Sequence, residues 1–409
     1  MNKNNVVSKC KCMSLRVLFS YLFFLCVLCG QISAQEFKTV KDGIEYAEVT
    51  REISGLKVNM NLLRLDLTKV RLDVHHAMDM AIGTEKTSSI ATRHGAFAAI
   101  NAGFFRLDTS IFAGDPVGAL MIDGQLLSES TNGRVALQII NAEKETKIQL
   151  GHLDVVAWLA FDETTRFQTK LSGVNRERGE DEMILFDPRF GRSTSTKGTG
   201  TEIVLRDCRI GSKKKPYWFA CKNIELKEGA NATIPAEGAV ISIAPGNSRQ
   251  KQLVLYDLKL YLTTKKKKEF LIRLESDPQK RYLPFDKNMD IVAGVPQLIK
   301  DGKIDITWEQ EKTTKSFVEM RHPRTAVAKL KDGKFLMITV DGRTEASGGI
   351  GLQDLAEYLL SLGAIDAMNL DGGGSTTMFL DGKVVNKPSD KEGERKVSDA
   401  ILVTLRNKR

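Results

Sequence analysis

The chain has 409 residues, 60 Lys and Arg against 51 Asp and Glu, a formal net charge of +9 and 42% hydrophobic residues. It can bury a large core in one or two domains. Four of the positive charges, Lys3, Lys9, Lys11 and Arg16, sit in the first 34 residues; without them the charge falls to +5. That excess does not point to nucleic acid, and no basic stripe with interleaved aromatics is present.

Those 34 residues read as a signal peptide: basic residues with no acid, an apolar run from Val17 to Leu28, then Ile32-Ser33-Ala34. The run is too short for a comfortable membrane span, and no later segment offers 18 apolar residues, so no stable membrane span is expected. The expected location is exported: periplasmic, cell-surface or secreted. Leu28 is a poor residue before a lipidated Cys29. Four of the six cysteines lie in this leader. The remaining Cys208 and Cys221 either close one disulfide across GSKKKP or stay as two thiols. Lys213 to Lys215 and Lys265 to Lys268 read as solvated loop charges.

After the leader, GLKVNMNLLRLDL and VRLDVHHAM alternate as strands, Thr87 is placed to cap a short helix running to His94, and FAAINAGFF reads as a buried strand ending in a polar turn. Asp-Gly lies between apolar runs at Asp123-Gly124, Asp301-Gly302, Asp332-Gly333 and Asp381-Gly382. Each predicts a hairpin, because primed turns require positive φ. The fold class is therefore α+β, with mixed, largely antiparallel sheets, few helices and a cleft at strand ends. The division expected is a leader at 1–34, an N-terminal strand region at 35–95 and a main domain at 96–409, with an inserted subdomain at about 208–286.

The densest signal runs from Gly349 to Thr377. Leu352, Leu355, Ala356, Leu359 and Leu360 recur at helical spacing, Gly363 ends that helix, and Ala364 to Leu370 reads as a buried strand. Asp371-Gly372-Gly373-Gly374-Ser375-Thr376 follows, and then TTMFLDGKVV as a hairpin. Three glycines weaken a packed element by roughly 0.5–1 kcal/mol each relative to alanine, so something should approach that backbone closely. Two readings stand: a tight chain reversal, or a nest of amides for an oxyanion or sugar hydroxyls beside Asp371 and Asn369. The run lacks the Gly-Lys-Ser/Thr of a nucleotide loop.

Other polar groups also end predicted strands: Asn101, the stretch Gly114-Asp115-Pro116-Val117-Gly118, Asn175 and Arg176, Glu202, Arg321-His322-Pro323-Arg324-Thr325, and Asp341 with Arg343. Singly, each has an ordinary reading as a turn residue, a surface imidazole or a rim salt bridge.

In order along the chain, NAGFF, GDPVG, NRER with the later GTE, RHPRTAVA, VDGR and NLDGGGSTTM resemble the phosphodiester glycosidase family over roughly Asn101 to Val403. The C-terminal signature departs from the family's, reading Arg395-Lys396-Val397-Ser398-Asp399-Ala400. The resemblance implies hydrolysis of the anomeric C1–O bond of a sugar-1-phosphodiester, such as an N-acetylglucosamine-1-phosphodiester, releasing free sugar and a phosphomonoester. It implies a carboxylate as nucleophile or base, Asp371 first, then Asp341 and Glu202, with His322 as proton or hydrogen-bond donor. Arg324 and Arg343 would clamp the phosphate. Gly372, Gly373, Gly374 and Ser375 would support phosphate or sugar, and Asn101, Asn369 and Thr376 would hold sugar hydroxyls. The expected partner is a phosphoglycan or small sugar-1-phosphodiester, with oligomeric state unread. No cofactor is required; if an ion is used, Asp371, Asp341 and Glu202 would form an oxygen site for Ca2+ or Mg2+. A metal-dependent P–O phosphodiesterase and a non-catalytic glycan-binding protein are the alternatives.

Overall fold

The four Asp-Gly pairs each turn a hairpin. Asp123, Asp301 and Asp381 adopt φ of 51°, 49° and 46°, and the following Gly124, Gly302 and Gly382 adopt 72°, 72° and 83°. Two consecutive positive φ values are the signature of a type I′ turn, whose twist matches that of the strands it joins. Gly333 alone is positive in its pair, at 83°, because that turn is longer: Gly333 N–H donates to Leu330 O and Leu330 N–H to Lys334 O.

The computed structural model describes residues 37–160, 168–212, 215–246, 254, 270–277, 281–282 and 286–406. The leader, Lys213, Lys214 and Lys265 to Lys268 lie outside the described residues. The architecture is α+β and mainly antiparallel, with helices at Thr87–Arg93, Lys315–Glu319 and Leu352–Ser361. Of the described strand pairs, Gly173–Val174 with Met183–Phe186 runs parallel. Thr87 does not cap its helix: Lys86 holds the cap position with no side-chain cap bond, and buried Thr87 is the first helical residue. Among the described residues no helix is long and apolar enough to cross a membrane.

The layering follows from strand periodicity. In an eight-stranded antiparallel sheet, Leu56–Leu65, Phe335–Val340, Arg324–Leu330 and Ala364–Asn369 lie side by side. Ala326, Ala328, Leu336, Ile338 and Val340 pack on Leu352, Leu355, Ala356 and Leu359 of the helix. Their alternates, Val327, Phe335 and Met337, face the opposite way into a core shared with Val70, Leu72 and Val74, with Ala98 and Ile100, and with Val135 and Leu137. This period of two lets one sheet fill two cores. Beyond it, the five-stranded sheet containing Leu120–Ile122, Val135–Asn141 and Met289–Ala293 offers Met121, Met289 and Ile291 to a third core. Across that core stands a nine-stranded sheet that includes Thr201–Ser212 and Lys215–Glu228. In that last hairpin Cys208 faces Cys221, and the two form a disulfide.

Candidate active site

Helix Leu352–Ser361 ends at Gly363, whose φ of 89° is the left-handed exit expected there, and strand Ala364–Asn369 begins at once. At its far end the chain leaves the eight-stranded sheet and enters another. Leu370 N–H still donates to Thr325 O, whereas Asp371 N–H donates to Ala102 O beyond strand Ala98–Asn101. Met378–Leu380 then pairs with that same strand. The glycine run is the bridge between two sheets, turned by a short 3-10 segment at Gly373–Ser375.

What crowds the bare backbone is specific. A Cβ on Gly372 would lie 2.7 Å from the Pro323 carbonyl oxygen, and one on Gly373 3.1 Å from Arg343 Nη2, with the backbone at a φ of 61° besides. A Cβ on Gly374 would collide with the Arg395 guanidinium and the Asp390 carboxylate, a pair joined by bonds of 2.7 and 3.0 Å. Both sequence readings are therefore partly realised: the run is a chain reversal, and it is also the floor on which two guanidiniums lie.

Asp371 sits at the start of this floor. Its Oδ1 accepts from Gly372 N–H at 2.9 Å. Burial pushes its carboxyl up to about 6, against the pull of Ser375, Gly372 and Arg395 and with the push of the Asp399 carboxylate. Arg134 is also electrostatically coupled to Asp371. Its guanidinium donates to Val117 O at 2.7 Å and lies 5.5 Å from the Phe104 ring centroid. Phe104 meets Phe317 edge to face at 6.2 Å, and the Arg324 guanidinium lies 4.8 Å over Phe317. Phe104 and Phe317 thus form an aromatic pair flanked by Arg134 and Arg324.

Arg343 adopts a φ of 60°, rare for a residue with a side chain. It is exposed, and its Nη2 lies 3.5 Å from His322 Nδ1. Burial, together with Arg324 and Arg343, pushes His322 below the ordinary imidazole range, favouring the neutral ring.

Several of the residues expected to meet a ligand also support the turn from within the protein, while the buried Asn369 Oδ1, Ser375 Oγ and Thr376 Oγ1 have no hydrogen-bond partner among the described residues. Arg324 is 2% exposed, and its Nη2 donates to Phe317 O at 2.6 Å and Met320 O at 2.9 Å, capping the short helix Lys315–Glu319. Burial and the neighbouring Arg343 bring it down to about 10. It stands beside Arg343 but spends this nitrogen on carbonyls. Asn101 is fully buried: its Nδ2 donates to Asp371 O at 2.7 Å, and its Oδ1 accepts from Thr325 Oγ1 at 2.8 Å and Thr377 N–H at 3.1 Å. Asn369 is likewise buried and donates to Val295 O at 2.7 Å. These two amides hold the turn from beneath. Thr376, also buried, links the turn outward, its carbonyl accepting from Asn386 Nδ2 at 3.0 Å. Asn386 lies 3.4 Å from Asp341 Oδ1, which accepts also from Lys387 N–H at 3.1 Å. Asp341 is therefore one residue back from the glycine floor.

Glu202 is not brought to the turn. It is 1% exposed on strand Thr201–Ser212, where it accepts from Thr196 Oγ1 and Ser242 Oγ, each at 2.8 Å, and stands 3.8 Å from Arg178. Asp371, Asp341 and Glu202 accordingly have separate partners and do not meet the separation of a shared ion site.

Arg134 and Phe317, which the sequence reading did not mark, join Phe104 of NAGFF and Arg395 of the C-terminal signature around this turn. Arg134 had a local signal, since Asn132 and Gly133 before it are both left-handed, at 54° and 60°. An Asn-Gly turn of that type fixes the direction in which the next strand, and hence Arg134, sets out.

Residues 227–404 match the phosphodiester glycosidase family. The chain is 39% identical over 111 residues to bovine N-acetylglucosamine-1-phosphodiester alpha-N-acetylglucosaminidase, covering 25% of this chain and 21% of that enzyme. It is also 39% identical over 107 residues to an SPbeta prophage-derived protein of Bacillus subtilis, covering 26% of this chain and 16% of that protein. The chain thus spans about a fifth or less of the length of the curated relatives it matches. A solved structure of a Synechocystis protein shares the fold with a TM-score of 0.70 at 21% identity, over 91% of this chain and 64% of that one.

Proposed function

From the phosphodiester glycosidase domain carried by residues 227–404, we propose that the chain is an exported hydrolase that cleaves the anomeric C1–O bond of a sugar-1-phosphodiester. The observation that carries this is the gathering of Arg343, Arg395 and Arg134 around Asp371 on a backbone without side chains. A phosphodiester is an anion and its departing half gains charge as the bond breaks, so guanidiniums are the groups that stabilise the leaving side. Because a phosphomonoester leaves readily, the acid that ordinary glycosidases use to protonate the leaving oxygen is dispensable here. Asp371, ionised above about pH 6, attacks the anomeric carbon or activates water toward it and faces the positive charge that develops there. Phe104 and Phe317 supply an apolar wall for a sugar ring, and neutral His322 is available to hydrogen-bond the phosphate. The substrate class that fits an exported enzyme with this cleft is an envelope or dietary phosphoglycan.

Product analysis decides among the readings. Incubation with an N-acetylglucosamine-1-phosphodiester should yield free sugar and a phosphomonoester, unchanged by EDTA. Sugar 1-phosphate as product would mean P–O cleavage; binding with no product would mean a glycan receptor. Loss of turnover in EDTA would place an ion in the reaction.

A further inference from the structure

Strand Val70–His76 ends beside the end of helix Thr87–Arg93, and between them the chain makes a tight turn in which Met78 and Asp79 have φ of 56° and 55°. Two successive left-handed residues with side chains are uncommon, and here they set an exposed Asp79 against two histidines. The His75 and His94 rings stack with centroids 3.6 Å apart at 25°. His94 Nε2 lies 3.0 Å from Asp79 Oδ1. One ligand atom from each of His75, Asp79 and His94 falls within 4.8 Å of the others. We propose that His75, Asp79 and His94 bind a divalent cation of the zinc class.

The chemistry favours this ion type. Two imidazoles and one carboxylate suit zinc, cobalt or nickel, whereas Ca2+ and Mg2+ take mainly oxygen ligands. A tetrahedral ion with ligands at about 2.0–2.1 Å needs donor atoms roughly 3.4 Å apart. Asp79 Oδ1 and His94 Nε2, now hydrogen-bonded at 3.0 Å, would separate slightly, and the His75 ring would turn out of its stack with His94 so that its in-plane lone pair meets the ion. The surroundings permit it. Neither ring nitrogen of the half-buried His75 has a hydrogen-bond partner among the described residues, so turning the ring toward an ion breaks no hydrogen bond. Arg93, which pairs with Asp79, also reaches Glu85 at 2.9 Å and so keeps a counter-charge when Asp79 turns to the ion. The three side chains open on a cavity of about 340 Å³ lined also by Met80, Asp123 and Gln125, with room for water as the fourth ligand. The bound ion would pin a strand end, a strained turn and a helix end together, and it shares no side chain with the cleft at Asp371.

The test uses the full chain, stripped with chelator and dialysed. Calorimetric titration with Zn2+ should give one equivalent per chain, Co2+ should develop the visible absorption of a four-coordinate ion, and excess Ca2+ or Mg2+ should not compete. His75→Ala and His94→Ala should each weaken Zn2+ binding at least about 100-fold, beyond the 10–100-fold typical of losing an outer partner, and should abolish the rise in unfolding temperature that Zn2+ gives the native chain. Asp79→Asn, at an exposed position and with a residue that tolerates the left-handed backbone there, should weaken binding at least tenfold and serves if either histidine variant fails to fold. No saturable Zn2+ binding, or binding by the folded variants equal to that of the native chain, would overturn the site.

Discussion

Asp371 and Glu202 are carboxylates at strand ends with an arginine nearby, and the protein surrounds them differently. Glu202 accepts hydrogen bonds from two hydroxyls and is sealed from solvent beside Arg178. Asp371 accepts one backbone bond at 2.9 Å and borders a floor of glycines on which guanidiniums rest. The first is enclosed by protein groups, with Oε1 hydrogen-bonded and Oε2 left without a partner among the described residues; the second lies on a turn lined by guanidiniums. What separates the two is their setting: one carboxylate is enclosed within a sheet, and the other borders bare backbone on which arginines lie, the kind of place where a raised carboxyl pKa marks a candidate functional group.

The sharpest way to break that contrast is to neutralise each carboxylate in turn. Asp371→Asn should lower kcat by about 1000-fold or more, the upper part of the range for removing a catalytic acid or base, with folding intact. Glu202→Gln should leave kcat within a few-fold while destabilising the chain by roughly 1–3 kcal/mol, because it disturbs hydrogen bonds to a buried charge. Steady-state kinetics with thermal unfolding reads both. If Glu202→Gln abolishes turnover in a folded protein, the assignment moves to the nine-stranded sheet.

Titration sharpens the same contrast. With Asp371 raised to about 6, kcat/KM should fall as pH drops through about 6, reporting loss of the ionised form. Its effect on stability has the opposite sense. The native carboxyl holds its proton more tightly than the unfolded one, whose pKa is about 3.9. Its contribution is therefore complete below about 3.9 and is lost as pH rises through about 6. Asp371→Asn should consequently unfold no lower than the native chain at pH 7, and above it relative to pH 4, while being inactive. An acidic limb that stays near pH 6 in a residually active Asp371→Asn would assign it to another group.

Gly373→Ala tests the floor. The added Cβ would meet Arg343 Nη2 at 3.1 Å, and the φ of 61° disfavours any side chain. Left-handed strain of about 1–2 kcal/mol and a displaced guanidinium should appear as roughly a tenfold loss in kcat/KM. Arg343→Lys should show a comparable loss, since a lysine cannot reproduce a bidentate hold on phosphate. Unchanged kinetics in both would remove Arg343 from the site.

These experiments also mark what could be read from sequence. The hairpins at Asp123, Asp301 and Asp381 were legible because turn chemistry is local: the residues that need positive φ are the ones that carry it, and at Asp332 the following Gly333 alone does so in a longer turn. Helix Leu352–Ser361, Gly363 and the strand after it were legible for the same reason. That bare backbone was needed at 372–374 was also visible, but what presses on it was not. Pro323, Arg343 and Arg395 come from three other segments, and no periodicity links them. Arg324, Asn101 and Asn369 show the opposite difficulty. A polar residue at a strand end looks identical whether it meets a ligand or carries a neighbouring loop, and the bonds to Phe317, Asp371 and Val295 that show the second role come from segments the sequence does not link to them. Thr87 failed as a cap because strand pairing of Glu85–Lys86 fixed the entry to the helix and put Lys86 in the cap position.

The smallest effect on activity is expected where the nine-stranded sheet is cross-linked. Cys208 and Cys221 are 13 residues apart and face each other in a hairpin that pairs from Thr201 with Glu228 to Ser212 with Lys215. Opening a loop of this size releases about 3 kcal/mol of chain entropy to the unfolded state, and the ladder that remains keeps the native register. Reduction, or the paired Cys208→Ser and Cys221→Ser change, should therefore lower stability by up to about 3 kcal/mol and leave kcat and KM alone, as read by denaturant unfolding and kinetics on one sample. A fall in kcat at a denaturant-free temperature where the reduced protein is still folded would mean that the hairpin helps to shape the cleft. In that event the enclosed sheet that carries Glu202 and the turn at Asp371 would be functionally linked.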